Sequence, residues 1–519
     1  MKQVLVSGIR ISCRKAASGM EKLLRRAAAE QLRLPEKEIS GITVVSRSID
    51  ARKKEPVLEL RLAVSVPDDA PFPEYREKAP VLDLPEKHLC RDPIVVGTGP
   101  AGIFAALVFA LAGCRPLILD RGEDVDARSR RQLEFLKNRR LDENSNLLIG
   151  EGGSGTFSDG KLYTGTRDPR GRFVLHELVS AGAPEEILVL ARPHVGTDYL
   201  KTAAAGLRKK IESLGGVFRF NTCVEDIVVE NGKCRGVVLA SGEVLESNSV
   251  VIACGLGGRG LARKLAEKVR FSLKPFQIGC RIEHPQEMID RVQYHGSRPE
   301  LLGAAEYHIV SRPQDGKTLQ VSSFCMCPGG EVVNATAWKE QCVTNGMSSF
   351  ARAGKYANSC LISTVRPELY GSLDDVFEMI RHIGHELFVS GGSDYTFPAQ
   401  DAEAFLRGEK RLSRPGESSC QTGIVPGDVS RLLPKENYLA LVSALKYFDR
   451  KMSGFIRYGK IIGVENCVSS PLRFDRDELG FSSVHGLMLC GEGAGFAGGI
   501  VSAACDGIRC AENMLKNLC

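Results

Sequence analysis

No apolar run in this sequence approaches the roughly 20 residues that a membrane-spanning helix requires. The amino terminus, MKQVLVSGIRIS, lacks both the apolar stretch and the small-residue cleavage site of a secretory signal. A cytoplasmic enzyme without a membrane span is therefore expected. Metal-ligand spacing is also missing. The 17 cysteines are scattered singly, and the only close pair, Cys325-Met326-Cys327, is one residue tighter than a C-x-x-C motif. An odd number of cysteines cannot all pair within one chain, so reduced thiols and no metal are expected. Internal repeats and low-complexity tracts are absent too, which excludes solenoids and disordered arrays.

What is present describes a soluble multidomain protein. A hydrophobic share of 43% and a charged share of 25% in 519 residues are ordinary for globular chains. The length suits about three domains of roughly 150 residues each. Charge is uneven: residues 1–54 hold 13 Lys and Arg against 5 Asp and Glu, an excess of eight that exceeds the whole-chain balance of +6. Two readings of this basic segment stay open, solvated faces or a surface for an anionic or protein partner.

Residues 1–90 read as a small βαββ module. Val4–Ile11 is strand-like, Ala16–Leu32 has helical apolar spacing, and Ile42–Ser48 and Val57–Val66 are β-rich. A Pro- and acid-rich stretch, Pro67–Pro85, reads as a linker, and the composition shifts at Arg91. Pro93–Asp120 then spells strand, glycine turn, apolar helix and strand, the opening of a doubly wound nucleotide-binding α/β domain. This domain is predicted to take residues 91–270 and 480–519. Within it the sequence predicts a helix at Thr197–Leu214 and strands at Val217–Asn221, Val224–Glu230, Gly236–Ala240 and Ser249–Gly255. Strand, glycine loop and helix follow in Gly486–Leu518. An α+β substrate domain, with short strands and a helix at Leu373–Phe388, is predicted to be inserted as residues 271–479.

The chemistry begins at Gly97-Thr98-Gly99-Pro100-Ala101-Gly102, a G-x-G-x-x-G between an apolar strand and an apolar helix, with Asp120 ending the next strand. Gly97 permits the tight turn, Gly99 lets the backbone approach a pyrophosphate, and Gly102 lets the helix lie close to the sheet. The helix amino terminus offers N–H groups to the diphosphate, and Asp120 can accept from ribose hydroxyls. This motif alone does not separate NAD from FAD. The discrimination comes from Gly491-Glu492-Gly493-Ala494-Gly495-Phe496-Ala497-Gly498-Gly499-Ile500, whose order of acid, small-residue loop and helix resembles that of FAD proteins. There the acid can accept a ribityl hydroxyl, and the helix dipole at Ile500 favours negative charge on a reduced ring. A second glycine-rich stretch, Gly150–Lys161, fits close approach of backbone to a flat ligand. The residues expected to hold non-covalent FAD are Gly97, Gly99, Pro100, Ala101, Gly102, Asp120 and Arg121, then Gly152, Gly153, Ser154 and Thr156, then Val224 and Gly255, and finally Gly491, Glu492, Gly498, Gly499 and Ile500.

These motifs, with Pro275–Pro285, Ser323–Gly330 and Ser48–Lys54, resemble the bacterial family of FAD-dependent dehydrogenases of unassigned substrate, within the glutathione-reductase-like flavoprotein superfamily. The resemblance covers most of the chain and implies a glutathione-reductase-type FAD domain. Two positions depart from it: Leu256 stands where a histidine is expected, and Cys420-Gln421-Thr422-Gly423 where an aromatic-Arg-Pro-Gly stretch is expected. Glutathione-reductase-type enzymes also carry a second complete fingerprint for NADPH, and Arg192–Val250 holds none. Gly255-Leu256-Gly257-Gly258-Arg259-Gly260 comes close but reads as flavin-adjacent structure. An electron donor, NAD(P)H among the possibilities as a transient one, must then dock against the flavin, or a protein partner must deliver electrons.

Catalytic candidates are Cys325, Cys327 and Lys161. The cysteines read either as a thiolate or proton donor near the flavin, or as small hydrophobes on one side of a strand. Lys161 reads either as a cation facing the flavin or an anionic substrate, or as a solvated side chain. The expected function is an FAD-dependent oxidoreductase acting on an unidentified small molecule by hydride transfer. The alternatives are a flavin-dependent RNA-modifying enzyme that grips RNA with the basic module, and a non-catalytic flavoprotein partner or sensor.

Overall fold

The structure is a computed structural model that describes residues 1–16, 19–76, 80, 82, 84, 92–296, 298–299, 301–313 and 315–517. Arg91, and parts of the linker, of the Ala16–Leu32 helix and of the carboxy-terminal helix, lie outside the described residues.

Five short strands form a parallel sheet in the order Leu487–Leu489, Val250–Ile252, Ile94–Val96, Leu117–Leu119, Val217–Arg219. The three strands Ile94–Val96, Val250–Ile252 and Leu487–Leu489 are buried throughout, which is why they read as unbroken apolar runs rather than alternation. On one face Val95, Ile118, Val251 and Met488 pack against helices Pro100–Leu111, Arg170–Ser180, Gly196–Ser213 and Ile500–Asn517. Helix Pro100–Leu111 has ten of its 12 residues buried and lies deepest.

The opposite face, through Ile94, Val96, Leu119, Val250 and Ile252, packs against a three-stranded antiparallel sheet, Val224–Glu230, Lys233–Leu239 and Val244–Glu246, and helix Arg259–Ala266. The chain thus winds outward from Ile94–Val96 in both directions, with an antiparallel meander covering much of the second face. In such sheets ligands bind where the order reverses, at the carboxyl ends of the strands. Here that point lies between Ile94–Val96 and Val250–Ile252.

The chain leaves this layer through Phe271–Leu273 and returns through Leu472–Phe474, which pair antiparallel. Between them lies a six-stranded sheet in the order Val321–Cys327, Tyr356–Val365, Phe276–Pro285, Lys460–Glu465, Phe397–Asp401, Ile424–Pro426. Two neighbouring strands in it, Tyr356–Val365 and Phe276–Pro285, are ten residues long, longer than the short strands expected from sequence. Phe276–Pro285 carries Arg281, Glu283 and His284, all buried, and these break the apolar run by which a buried strand is recognised. Helix Leu373–Ser390 forms as expected, held by a capping box between Ser372 and Asp375. Helix Lys435–Lys451 escapes the sequence reading because Pro434 stands at its start and no side chain caps it.

In the amino-terminal module Val57–Val66 is central, flanked antiparallel by Lys2–Ser12 and Gly41–Asp50. The helix expected from Ala16 begins at Met20 instead, after a separate turn at Cys13–Ala16, because Gly19 at φ 146° cannot continue a helix. The edge strand Gly41–Asp50 bonds to the loop that follows the 3₁₀ turn Glu185–Leu188: Arg47 N–H donates to Val189 O at 2.7 Å, and Ala191 N–H to Arg47 O at 2.9 Å. Part of the basic excess is internally matched, since Arg10 and Arg52 share Asp50, and Arg25 and Arg26 pair with Glu21 and Glu30.

Candidate functional site

A cavity of about 920 Å³ opens at the topological switch point and runs from the fingerprint loop to the six-stranded sheet. Gly97, Gly99, Pro100 and Ala101 line it, with Asp120 and Arg121 from the end of the second strand. Gly153 and Ser154 contribute from the second glycine loop, Val224 and Gly255 from the meander face, and Gly491, Glu492, Gly498, Gly499 and Ile500 from the carboxy-terminal loop. The sequence motifs, hundreds of residues apart, therefore meet at one place.

Three of the expected cofactor residues do not face this cavity. Gly102 lies under the turn, where a Cβ would stand 1.9 Å from Gly97 O, so its glycine serves helix–sheet packing. Gly152 (φ 81°) and Thr156 are turned inward because Gly153–Phe157 coils into a 3₁₀ turn. A Cβ on Gly152 would meet Thr156 Oγ1 at 2.0 Å.

The glycine requirements test whether a dinucleotide fits. Gly97 sits at φ 102°, and a Cβ there would lie 2.5 Å from Ala253 O, so this glycine is demanded by the protein itself. Gly99 has an ordinary backbone (φ −68°, ψ 177°), and a Cβ would meet nothing closer than Gly153 Cα at 3.8 Å. Protein contacts give no reason for glycine at 99, whereas a diphosphate passing over that backbone does. Helix Pro100–Leu111 begins there with no side-chain cap, leaving its first N–H groups for a ligand. The residues present fit FAD.

Asp120 is more committed than a ribose contact alone requires. Its carboxylate accepts from Thr98 N–H at 2.9 Å, Thr98 Oγ1 at 2.5 Å and Gly122 N–H at 2.8 Å, which pins the fingerprint turn. A carboxylate accepts about four bonds, so one site is left for the ligand. Asp120→Ala is therefore expected to cost more than the roughly 1.5–3 kcal/mol of a single charged hydrogen bond. It should lower both FAD affinity and the stability of the FAD-free chain, read by fluorescence titration and thermal unfolding. Unchanged unfolding of the FAD-free variant would contradict this structural share.

Glu492 accepts from Ser470 N–H through Oε1 at 2.8 Å, and Oε2 lies where a Cβ on Gly498 would come within 2.4 Å. Burial pushes its carboxyl up. Asp506 anchors the same loop by accepting from Gly491 N–H at 2.9 Å while pairing with Arg476 at 2.8 and 2.9 Å.

The far end of the cavity is formed by Lys161, Phe324, Cys325 and Glu465. Lys161 is not solvated: its side chain is 17% exposed, its Nζ lies 2.9 Å from Asp159 Oδ2, and it donates to Met326 O. Burial opposes its charge, but Asp159 together with the Cys327 and Cys325 sulfurs outweighs that and holds the ammonium above its usual range. Asp159 in turn is 1% exposed and accepts from Arg352 at 2.8 and 2.5 Å. Lys161 and Arg352 overcome its burial and keep the carboxyl well below the usual range.

The two cysteines separate. Cys325 is half-buried on the cavity wall, whereas Cys327 is fully buried behind it. Their strand loses register between Phe324 and Cys327, and Cys325 takes a left-handed φ of 44°, so the alternation of a regular strand does not apply. Behind them Arg281 pairs with Glu465 at 2.5 and 3.0 Å and donates to Asn358 at 2.8 Å and to Cys325 O at 3.3 Å. Sequence reasoning missed Arg281, Glu465, Asp159 and Arg352. A charged residue within a strand reads as surface unless its distant partner is known.

Comparison with known proteins agrees with the cavity. Residues 275–467 match the C-terminal domain-like family of FAD-dependent proteins, residues 196–337 the FAD dependent oxidoreductase family, and residues 3–65 a domain of unknown function. An uncharacterized protein of Clostridium beijerinckii is 39% identical over 515 residues, covering 95% of this chain and 96% of its own.

The chain belongs to the FAD-dependent oxidoreductase family.

This oxidoreductase is also 28% identical over 218 residues to protein FixC of Salmonella typhi, across 40% of this chain and 46% of FixC. Among solved structures, the flavin-dependent brominase Bmp2 aligns over 82% of this chain and 80% of its own at 13% identity, with a TM-score of 0.38, too distant to bear on chemistry. FAD is the cofactor of the family and of this oxidoreductase. Among the described residues no cluster of His, Cys, Asp and Glu could hold a metal, and no helix is long and apolar enough to cross a membrane.

Proposed function

We propose that this oxidoreductase performs two-electron chemistry on a small molecule held between the FAD loops and the six-stranded sheet. The observation that carries the reading is the continuity of one cavity from Gly97 and Gly99 to Lys161 and Cys325. When bound, FAD supplies hydride acceptance and donation at this cavity. The chain's own residues set the rest. Asp120, Glu492 and the glycine turns hold the cofactor, Lys161 keeps a positive charge over the far end, and Phe324, 42% exposed, offers an apolar wall to a substrate.

In this reading residues 91–270 and 480–519 form a glutathione-reductase-like FAD domain, 271–479 the substrate domain, and 1–90 a docked module whose unpaired basic residues are open to an anionic or protein partner. The nearest approach to a second fingerprint, Gly255–Gly260, lies on the same cavity wall, so a nicotinamide donor would share the cavity with the substrate. The test is anaerobic addition of NADH and of NADPH to the purified holoprotein, followed by candidate oxidants. Loss of the yellow absorbance with one nicotinamide, and its return with a small-molecule oxidant, is expected. A holoprotein bleached by dithionite but by neither nicotinamide would overturn the donor assignment.

A further inference from the structure

Cys325 and Cys327 have a relationship that their separation in a regular strand would not produce. Residues two apart in a strand stand about 6.6 Å apart, near the upper limit for disulfide formation. Here the register shift and the left-handed Cys325 break that regular spacing and bring the Cys327 thiol back onto the Cys325 backbone. Cys327 Sγ lies 3.3 Å from Cys325 O. The pocket around Cys327 is cut to fit the sulfur: a Cβ on Gly346 would stand 2.9 Å from Cys327 Sγ and 2.5 Å from an Arg281 nitrogen. A non-glycine residue held at positive φ is strained, and such strain concentrates at functional sites.

The two sulfurs differ in the way an attacking and a resolving thiol must differ. Cys325 is on the cavity wall and Cys327 behind it. The neighbouring Cys327 thiol, with Lys161 and Arg281, pulls the Cys325 thiol down despite its burial, with Glu465 opposing. The Cys325 sulfur beside it and burial push Cys327 up. An attacking thiol needs thiolate character and access, whereas a resolving thiol needs only reach.

We propose that Cys325 and Cys327 form a dithiol–disulfide couple that exchanges with an external disulfide entering the cavity, Cys325 attacking and Cys327 resolving. This rests on the oxidoreductase reading, which places two-electron chemistry in the same cavity, and names a disulfide as its substrate class. The Cys325 thiolate attacks one sulfur of the external disulfide, forms a mixed disulfide and expels the first thiolate. Cys327 gives up its proton and attacks Cys325 Sγ, forming the intrachain bond and expelling the second thiolate. One disulfide is reduced to two thiols, the pair is oxidised by two electrons, and the protons of Cys325 and Cys327 end on the leaving groups. Exchange with a dithiol runs the same steps backward.

The test treats reduced holoprotein with hydroxyethyl disulfide, traps free thiols by alkylation, and weighs the tryptic peptide Thr318–Lys339, which contains both cysteines and no other. The parent peptide should be lighter by two hydrogens and carry no adduct. In Cys327→Ser the peptide should carry one mercaptoethanol group on Cys325, and in Cys325→Ser none, with FAD content equal to the parent in both. A parent peptide that remains doubly alkylated, or accumulates the mixed adduct, overturns the couple whether or not the variants fold. Because FAD content and bleaching by nicotinamide are read on the same sample, a yellow, reducible protein without exchange rejects this inference alone. A protein without FAD rejects the underlying reading.

Discussion

Replacing Gly99 with valine is expected to give a folded protein that emerges colourless and takes up no FAD. The backbone at 99 is one that any residue adopts, and a Cβ would meet only Gly153 Cα at ordinary contact distance, so the chain has no reason to unfold. The two γ-methyls would instead enter the cavity beside the amino terminus of helix Pro100–Leu111, where the diphosphate lies in this account. Gly97→Ala and Gly102→Ala should behave oppositely. Each places a Cβ within 2.5 Å of a carbonyl oxygen and should lower stability even without FAD. Circular dichroism and FAD content together separate the cases. Normal FAD content in Gly99→Val would mean that the diphosphate lies elsewhere.

The second large effect concerns Arg281 and Glu465, 0% and 3% exposed, whose guanidinium and carboxylate are held at 2.5 Å. Removing one partner strands a buried charge, at a cost of about 3–5 kcal/mol, whereas replacing both with apolar residues of similar volume is often near neutral. Arg281→Met should therefore be much less stable than the parent, and Arg281→Met/Glu465→Leu should recover most of the loss in denaturant titrations of the holoprotein. Arg281 also donates to Asn345 Oδ1 at 3.3 Å, and equal losses in the single and double variants would show that its contacts with Asn345 and Asn358 matter more than the ion pair.

The fingerprint and the Gly491–Ile500 loop were legible because glycine is a statement about backbone, and the backbone's demands are local. Gly97 and Gly102 are needed for contacts that any strand–turn–helix of this kind must make. The far wall was legible only as candidate residues. Lys161 could not be told from a solvated lysine, because what buries it is Asp159 held by Arg352, 193 residues away in the chain. Arg281 and Glu465, 184 residues apart, likewise hide their meaning in a tertiary contact. The alternation that made Cys325 and Cys327 look equivalent fails at a register shift, which no spacing rule reveals. In the glycine loop, composition signalled closeness to a ligand but not that Gly152 and Thr156 face inward, since that depends on the 3₁₀ turn that follows.

Non-covalent retention of FAD by the loops that meet at the switch point is the central claim. Heat denaturation of the purified protein, with chromatographic identification of what is released, tests this most directly. FAD is expected, one per chain. Release of FMN, or a colourless protein that takes up no added FAD, would contradict it.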